Sequence, residues 1–195
     1  MKSINYMLRL SFLPVLLLTA SAMAQAQTLP LKLKQTTLTF NEQSLQIQIP
    51  DGYEQTFITG PGFETYSYSS EINRFILEIS LQSPDKTVLE EIKKGQLKEI
   101  VLSPYSNEKD MLYGEYRINS ETQDHLDYTS YLKKQPDDYL PAMYFRLHEY
   151  YSLKKDRIFK ISCKIQGLDS EKTLTDNLFE TIDKDCTQII KSARF

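Results

Sequence analysis

The sequence has no tryptophan, two cysteines, two histidines and six glycines in 195 residues. Each scarcity removes a class of chemistry. The cysteines, Cys163 and Cys186, form no Cys-x-x-Cys pair, and no His-Glu-x-x-His string occurs, so no zinc or redox motif is written here. Six scattered glycines build no phosphate-cradling loop, and no Gly-x-Ser-x-Gly elbow presents a nucleophile. No metal and no cofactor are therefore expected. A cationic excess is absent too. The formal net charge of −3 does not suggest nucleic acid or an anionic membrane as partner. Beyond the first 24 residues no apolar run approaches the roughly 20 residues of a membrane span.

What is present begins at the N-terminus. Lys2 and Arg9 precede an apolar stretch over residues 11–20, and Ala22-Met23-Ala24 supplies a small-x-small cleavage pattern. Residues 1–24 read as a signal peptide cut after Ala24, with Ala26 as the alternative. A periplasmic or secreted chain follows. No cysteine lies near the cut, which argues against a lipid anchor. Removing Lys2 and Arg9 takes the charge from −3 to −5. The remaining chain is expected to hold a flexible lead-in over residues 25–35 and a single domain over 36–195.

Alternation marks the strands. Leu38 and Phe40 face one way, and Leu45, Ile47 and Ile49 alternate with Gln46 and Gln48 before a Pro50-Asp51-Gly52 turn. The string FETYSYSSE predicts a short strand. Phe75, Leu77, Ile79 and Leu81 form the core face of a stronger one. Residues 83–101 predict one helix, started by Ser83-Pro84 or by a Thr87–Glu90 capping box and weakened by Gly95. Strands follow near 111–119 and 126–134, then the loop QPDDYLPA and a long hairpin. A last helix carries Leu174, Leu178, Ile182, Cys186, Ile189 and Ile190 at helical spacing. The fold class is α+β: an antiparallel sheet of meander hairpins, with a middle helix and a C-terminal helix packed on it.

The long hairpin holds one histidine and one cysteine. Over residues 143–153 the odd positions are apolar apart from Glu149, while Tyr144, Arg146, His148 and Tyr150 share the other face. In the next strand Phe159, Ile161, Cys163 and Ile165 form the apolar face. Matching the two apolar faces requires a turn with an odd number of residues, over 154–156 or two longer. That register sets His148 beside Ser162 or Lys164 and turns Cys163 to the opposite face, so no thiolate–imidazole pair is expected. Glu149 marks a β-bulge, a polar contact at the rim or a different register.

Two cysteines in an exported chain suggest a disulfide. Cys186 lies on the apolar stripe of the last helix and Cys163 on a core face, so a helix returning over that strand would join them. Two buried free thiols are the alternative.

This element order, together with Ile49-Pro50-Asp51-Gly52-Tyr53, resembles the PsbP/DcrB-like fold. Members of that family open with a strand pair ending in an Ile-Pro-x-Gly-aromatic turn, usually with Trp in the last place, and close with a long hairpin and a helix. The resemblance covers most of residues 36–192. It implies an envelope accessory or small-ligand-binding module, in a fold whose members are mostly non-enzymatic.

Binding residues are sought among the tyrosines, 13 in all, because Tyr joins contact area to a polar tip. Tyr113, Tyr116, Tyr128, Tyr131, Tyr144, Tyr150 and Tyr151 fall on neighbouring predicted strands. They form either a binding face or the edge of the core. The candidate partner-binding set is Asp137, Asp138 and Tyr139 in the proline-bounded loop, with Tyr144, Arg146 and His148 on the polar strand face. No catalytic residues are assigned. His125, among acids in ETQDHLD, reads as a solvated turn or a weak cation site. The expected function is a non-enzymatic periplasmic protein-binding domain, an immunity-type inhibitor blocking an envelope-directed toxin or hydrolase. The alternative is the PsbP/DcrB-like accessory or ligand-binding module, and an enzyme with dispersed catalytic groups is the third reading.

Overall fold

The computed structural model describes residues 30–41, 43–70, 74–102, 111–136 and 141–195, with the backbone alone at 111–114. The expected signal peptide and Asp137, Asp138 and Tyr139 lie outside the described residues. Strands β1 (Leu33–Phe40) and β2 (Gln43–Pro50) form a separate two-stranded sheet. Seven further strands are β3 (Glu54–Gly60), β4 (Phe63–Ser70), β5 (Phe75–Gln82), β6 (Met111–Glu121), β7 (His125–Lys134), β8 (Met143–Lys154) and β9 (Arg157–Leu168). They form one antiparallel sheet in the order β3-β4-β5-β9-β8-β7-β6. The helices are α1 (Lys86–Lys93), α2 (Leu97–Leu102) and α3 (Lys172–Ser192). The α+β class and the two helical regions match the sequence pattern.

The strand order follows from one crossing. After the β3-β4-β5 meander the chain crosses through α1 and α2, lays β6 at the far edge and winds back inward. The last strand, β9, therefore pairs with β5 in the middle of the sheet. Phe75, Leu77, Ile79 and Leu81 stand opposite Ile165, Cys163, Ile161 and Phe159 on one face. Phe40, Leu45, Ile47 and Ile49 of β1 and β2 join them with Phe179, Ile182, Cys186 and Ile189 of α3 to make the main core. On the other face Ile92, Leu97 and Val101 of α1 and α2 cover Leu126, Tyr128, Tyr151 and Ile158.

The first described residues and β2 are fastened to α3 and the segment after it. Gln46 and Arg194 exchange both backbone hydrogen bonds at 2.8 Å. The Gln48 N–H donates to Ser192 Oγ and the Leu31 N–H to Asp185 Oδ2, each at 2.8 Å. Leu31 is buried, and β1 begins at Leu33, so the end of the expected lead-in is already structured.

Three sequence expectations change. The middle helix is two helices, because Gly95 at φ +89° takes the left-handed conformation that ends a helix. Its N-cap is Asp85, whose side chain accepts from the Val88 N–H, in place of the two expected starts. Strand β3 carries no alternation to detect, since as an edge strand it is exposed along almost its whole length. The β8–β9 turn holds two residues, Lys155 at φ 48° and Asp156 at φ 64°, and sets Leu153 opposite Ile158. Positive φ at both turn residues is the signature of a tight hairpin turn, which natural chains more often fill with Asn and Gly. The odd-numbered turn assumed that each strand has one apolar face to match. Here the sheet is covered on both sides, so β8 can lay polar side chains beside the apolar ones of β9.

Candidate functional site

Helix α3 has two working flanks. Phe179, Ile182, Cys186 and Ile189 form the apolar one and are buried. Asp176, Glu180 and Asp183 recur at i, i+4 and i+7 and form an acidic one, since residues at that spacing share a helix face. The acidic flank lies over β8, whose even positions Tyr144, Arg146 and His148 point the same way. Arg146 Nη1 and the Tyr144 hydroxyl both donate to Asp176 Oδ1 at 2.9 Å. Lys172 Nζ reaches Asp176 Oδ2 at 2.7 Å. The Arg146 guanidinium also lies 4.6 Å over the Phe179 ring.

His148 is the centre of the arrangement. It is 2% exposed. Its Nδ1 lies 2.7 Å from Asp183 Oδ1 and its Nε2 2.9 Å from Asp127 Oδ1. Carboxylates only accept, so both ring nitrogens carry hydrogen and the ring is an imidazolium. Burial works against that charge, but the hydrogen bonds the ring donates to Asp127 and Asp183 outweigh it and push the pKa up to about 9. For Asp127, burial raises the carboxyl pKa, yet the bonds from His148 and Asn119 leave it lowered. In this clamp His148 has no lone pair with which to take a proton or bind a metal.

The two thiols are also turned inward. Cys163 and Cys186 are both buried and both free, which corrects the expected disulfide. The helix does return over the strand as anticipated. It brings Cys186 near Cys163, but the two sulfurs are not bonded. Burial first, and then Cys163, raise the Cys186 pKa well above the ordinary thiol value.

On the other sheet face Glu149 is buried and ionised. Burial opposes its charge, but Lys160, with Nζ at 2.7 Å, and the Tyr128 hydroxyl keep its pKa below the ordinary value. Glu149 is thus neither a bulge nor a rim residue.

Beside the clamp, a cleft of about 400 Å³ opens between β6, β7, β8 and α3. Tyr131, Tyr144 and Arg146 line its floor, and edge strand β6 borders it at Tyr116 and Arg117, of which Arg117 lies on the α3 side of the sheet and Tyr116 on the other. Tyr116 is 52% exposed. Arg117 is exposed and has no ion-pair partner among the described residues.

Of the sequence-predicted set, Tyr144, Arg146 and His148 do come together, beneath α3, and Tyr144 and Arg146 also line the cleft. Most of the strand tyrosines also belong to the interior. Tyr128, Tyr144 and Tyr151 are buried, and Tyr131 and Tyr150 are half-buried. His125 sits in a hydrogen-bonded turn with Thr122 and Ser120. No cluster of metal-ligating side chains occurs among the described residues, and no helix among them is long and apolar enough to cross a membrane. Sequence reasoning missed Asp127, Asp176 and Asp183. The last two could have been found from the acidic i, i+7 flank of α3.

No protein family matches the sequence, and no curated protein matches it. Among solved structures, the chain is similar to the Ran-binding protein Mog1p of Saccharomyces cerevisiae at 10% identity and a TM-score of 0.49, covering 84% of this chain and 96% of that one. It is similar to LpqN of Mycobacterium tuberculosis, involved in cell envelope biogenesis, at 9% identity and a TM-score of 0.44, covering 78% and 88%. It is also similar to PA94 of Pseudomonas aeruginosa at 10% identity and a TM-score of 0.36, covering 79% and 94%. None of these three bears the PsbP or DcrB name, and at such scores they say nothing of what the present chain binds.

Proposed function

We propose that the chain is an exported binding domain that holds a protein partner at the Tyr116–Arg117 side of the cleft and performs no chemistry on it. One observation carries this reading. Three side chains of nucleophilic or acid–base type, His148, Cys163 and Cys186, are engaged inward, while Tyr116 and Arg117 on the edge strand face solvent. Tyr and Arg are the residue types that most often anchor interfaces. Export rests on the N-terminal pattern from Lys2 to Ala24.

The finer form of the reading is an immunity-type inhibitor of an envelope-directed toxin or hydrolase. Its support is positional. Asp137, Asp138 and Tyr139 join β7 to β8, whose paired ends at Lys134 and Met143 lie close to Tyr131 and Tyr144 of the cleft. The tagged chain is used to capture partners from envelope extract, beside a Tyr116→Ala/Arg117→Ala variant. A stoichiometric partner held by the parent, and bound at least tenfold more weakly by the variant, is expected. Equal capture by both overturns the cleft reading. Purified partner activity that is unchanged by adding the chain overturns the inhibitor form.

A further inference from the structure

A second hollow, of about 500 Å³, lies where the C-terminal end of α3 meets β8 and β9. Its floor is apolar: Tyr150, Phe159 and Ile190. The Phe195 ring stands edge-on to Phe159 at a centroid distance of 4.8 Å and is itself 49% exposed. Its rim is cationic: Lys154, Lys191 and Arg194. All three are exposed, and none lies within ion-pair distance of a carboxylate among the described residues. Arg194 Nη1 instead donates to the carbonyls of Lys191 and Ala193, which fixes the guanidinium at the rim.

Around the first cleft, Arg146 and Lys172 are each matched to Asp176. At the second hollow the lining side-chain carboxylate is Asp127, already engaged by His148 and Asn119. Cations at a helix C-terminus do favour the helix dipole, which would account for Lys191 and Arg194. It does not account for Lys154, which comes from the end of β8, or for an aromatic floor left open beneath three charges.

We infer that this hollow binds an organic anion with an apolar body, its chain or ring against Phe159, Ile190 and Phe195 and its head between Lys154, Lys191 and Arg194. The site shares no residue with the Tyr116–Arg117 border, so it stands or falls apart from the protein-binding reading.

Calorimetric titration with laurate below its micelle concentration tests this, beside dodecyltrimethylammonium and inorganic phosphate. Saturable one-to-one binding of laurate is expected, with neither comparison compound matching it. A Lys154→Glu/Lys191→Glu variant should raise the Kd for laurate at least tenfold. A Lys86→Glu/Lys184→Glu variant, with the same change of charge elsewhere, should leave it unchanged. Circular dichroism confirms that each variant is folded, since all four side chains are exposed. Absence of laurate binding, equal binding of the cationic surfactant, phosphate binding as well as laurate, or parental affinity in the Lys154/Lys191 variant would each overturn the inference.

Discussion

His148 and Cys163 stand directly opposite one another on β8 and β9, and their side chains leave the sheet on the same side. An imidazolium beside a thiol is the pairing that elsewhere activates cysteine. Here the two are divided between different partners: the ring is held by Asp127 and Asp183, and the sulfur is packed against Cys186 under α3. Neither thiol should therefore react in the folded protein. Iodoacetamide at neutral pH is expected to add no mass to the native chain and two adducts once urea unfolds it. A chain whose unfolded form takes up no label until a reductant is added would mean that the sulfurs are joined after all.

The clamp has a pH signature. The folded pKa of His148, about 9, lies above the ordinary histidine value of 6.5. Its contribution is therefore complete below 6.5 and is lost as pH rises through 9, amounting to a few kcal/mol, at roughly 1.4 kcal/mol per pKa unit. Asp127, with its pKa lowered, acts in the opposite sense, and its contribution is lost as pH falls below the ordinary carboxylate range. Urea denaturation across pH 6 to 10 should show a decline that a His148→Gln variant lacks, and the His148 ring resonances should titrate near 9. An unperturbed midpoint would remove the clamp.

The Glu149–Lys160 pair predicts strong coupling. Lys160→Met leaves a buried carboxylate without its cation and should cost about 3–5 kcal/mol. Adding Glu149→Leu should restore much of that loss, because the desolvated charge is gone. Additive losses in a double-mutant cycle would contradict the pairing.

Gly167 predicts a second coupling, this time steric. A methyl group at this position would collide with Thr175 Oγ1 in the first turns of α3. Gly167→Ala should cost about 1–3 kcal/mol. Thr175 is fully buried and its hydroxyl has no hydrogen-bond partner among the described residues. Thr175→Ala combined with Gly167→Ala should therefore recover part of the loss, as read from the thermal midpoint of each variant.

The core strands were legible because burial imposes alternation. Phe75 to Leu81 and Leu45 to Ile49 announce their inward faces directly. The same logic was incomplete at β8, where parity identified the polar face but left open whether solvent, a partner or a helix covers it. The acids of α3 lie some thirty residues downstream, and a one-strand pattern cannot register their arrival. It failed at the turn because Lys155 and Asp156 occupy a left-handed conformation without the glycine that usually marks one. Strand β3, open on both faces at the sheet edge, had no periodicity to offer. The first cleft was only half visible. Tyr116 and Tyr144 look alike in the sequence, and only the helix position separates an interior tyrosine from an exposed one.

The fastening of Leu31, Gln46 and Gln48 to Asp185, Arg194 and Ser192 imposes an order of events on a growing chain. The Leu31–Asp185 bond spans 154 positions. A nascent polypeptide emerges with β1 and β2 first, yet the core that holds Phe40, Leu45 and Ile47 is not complete until the last helix is added to it. The earliest-made hairpin is thus the last to be secured. Until its final two dozen residues are synthesised, the chain stays open at both ends, a form in which it can still be threaded.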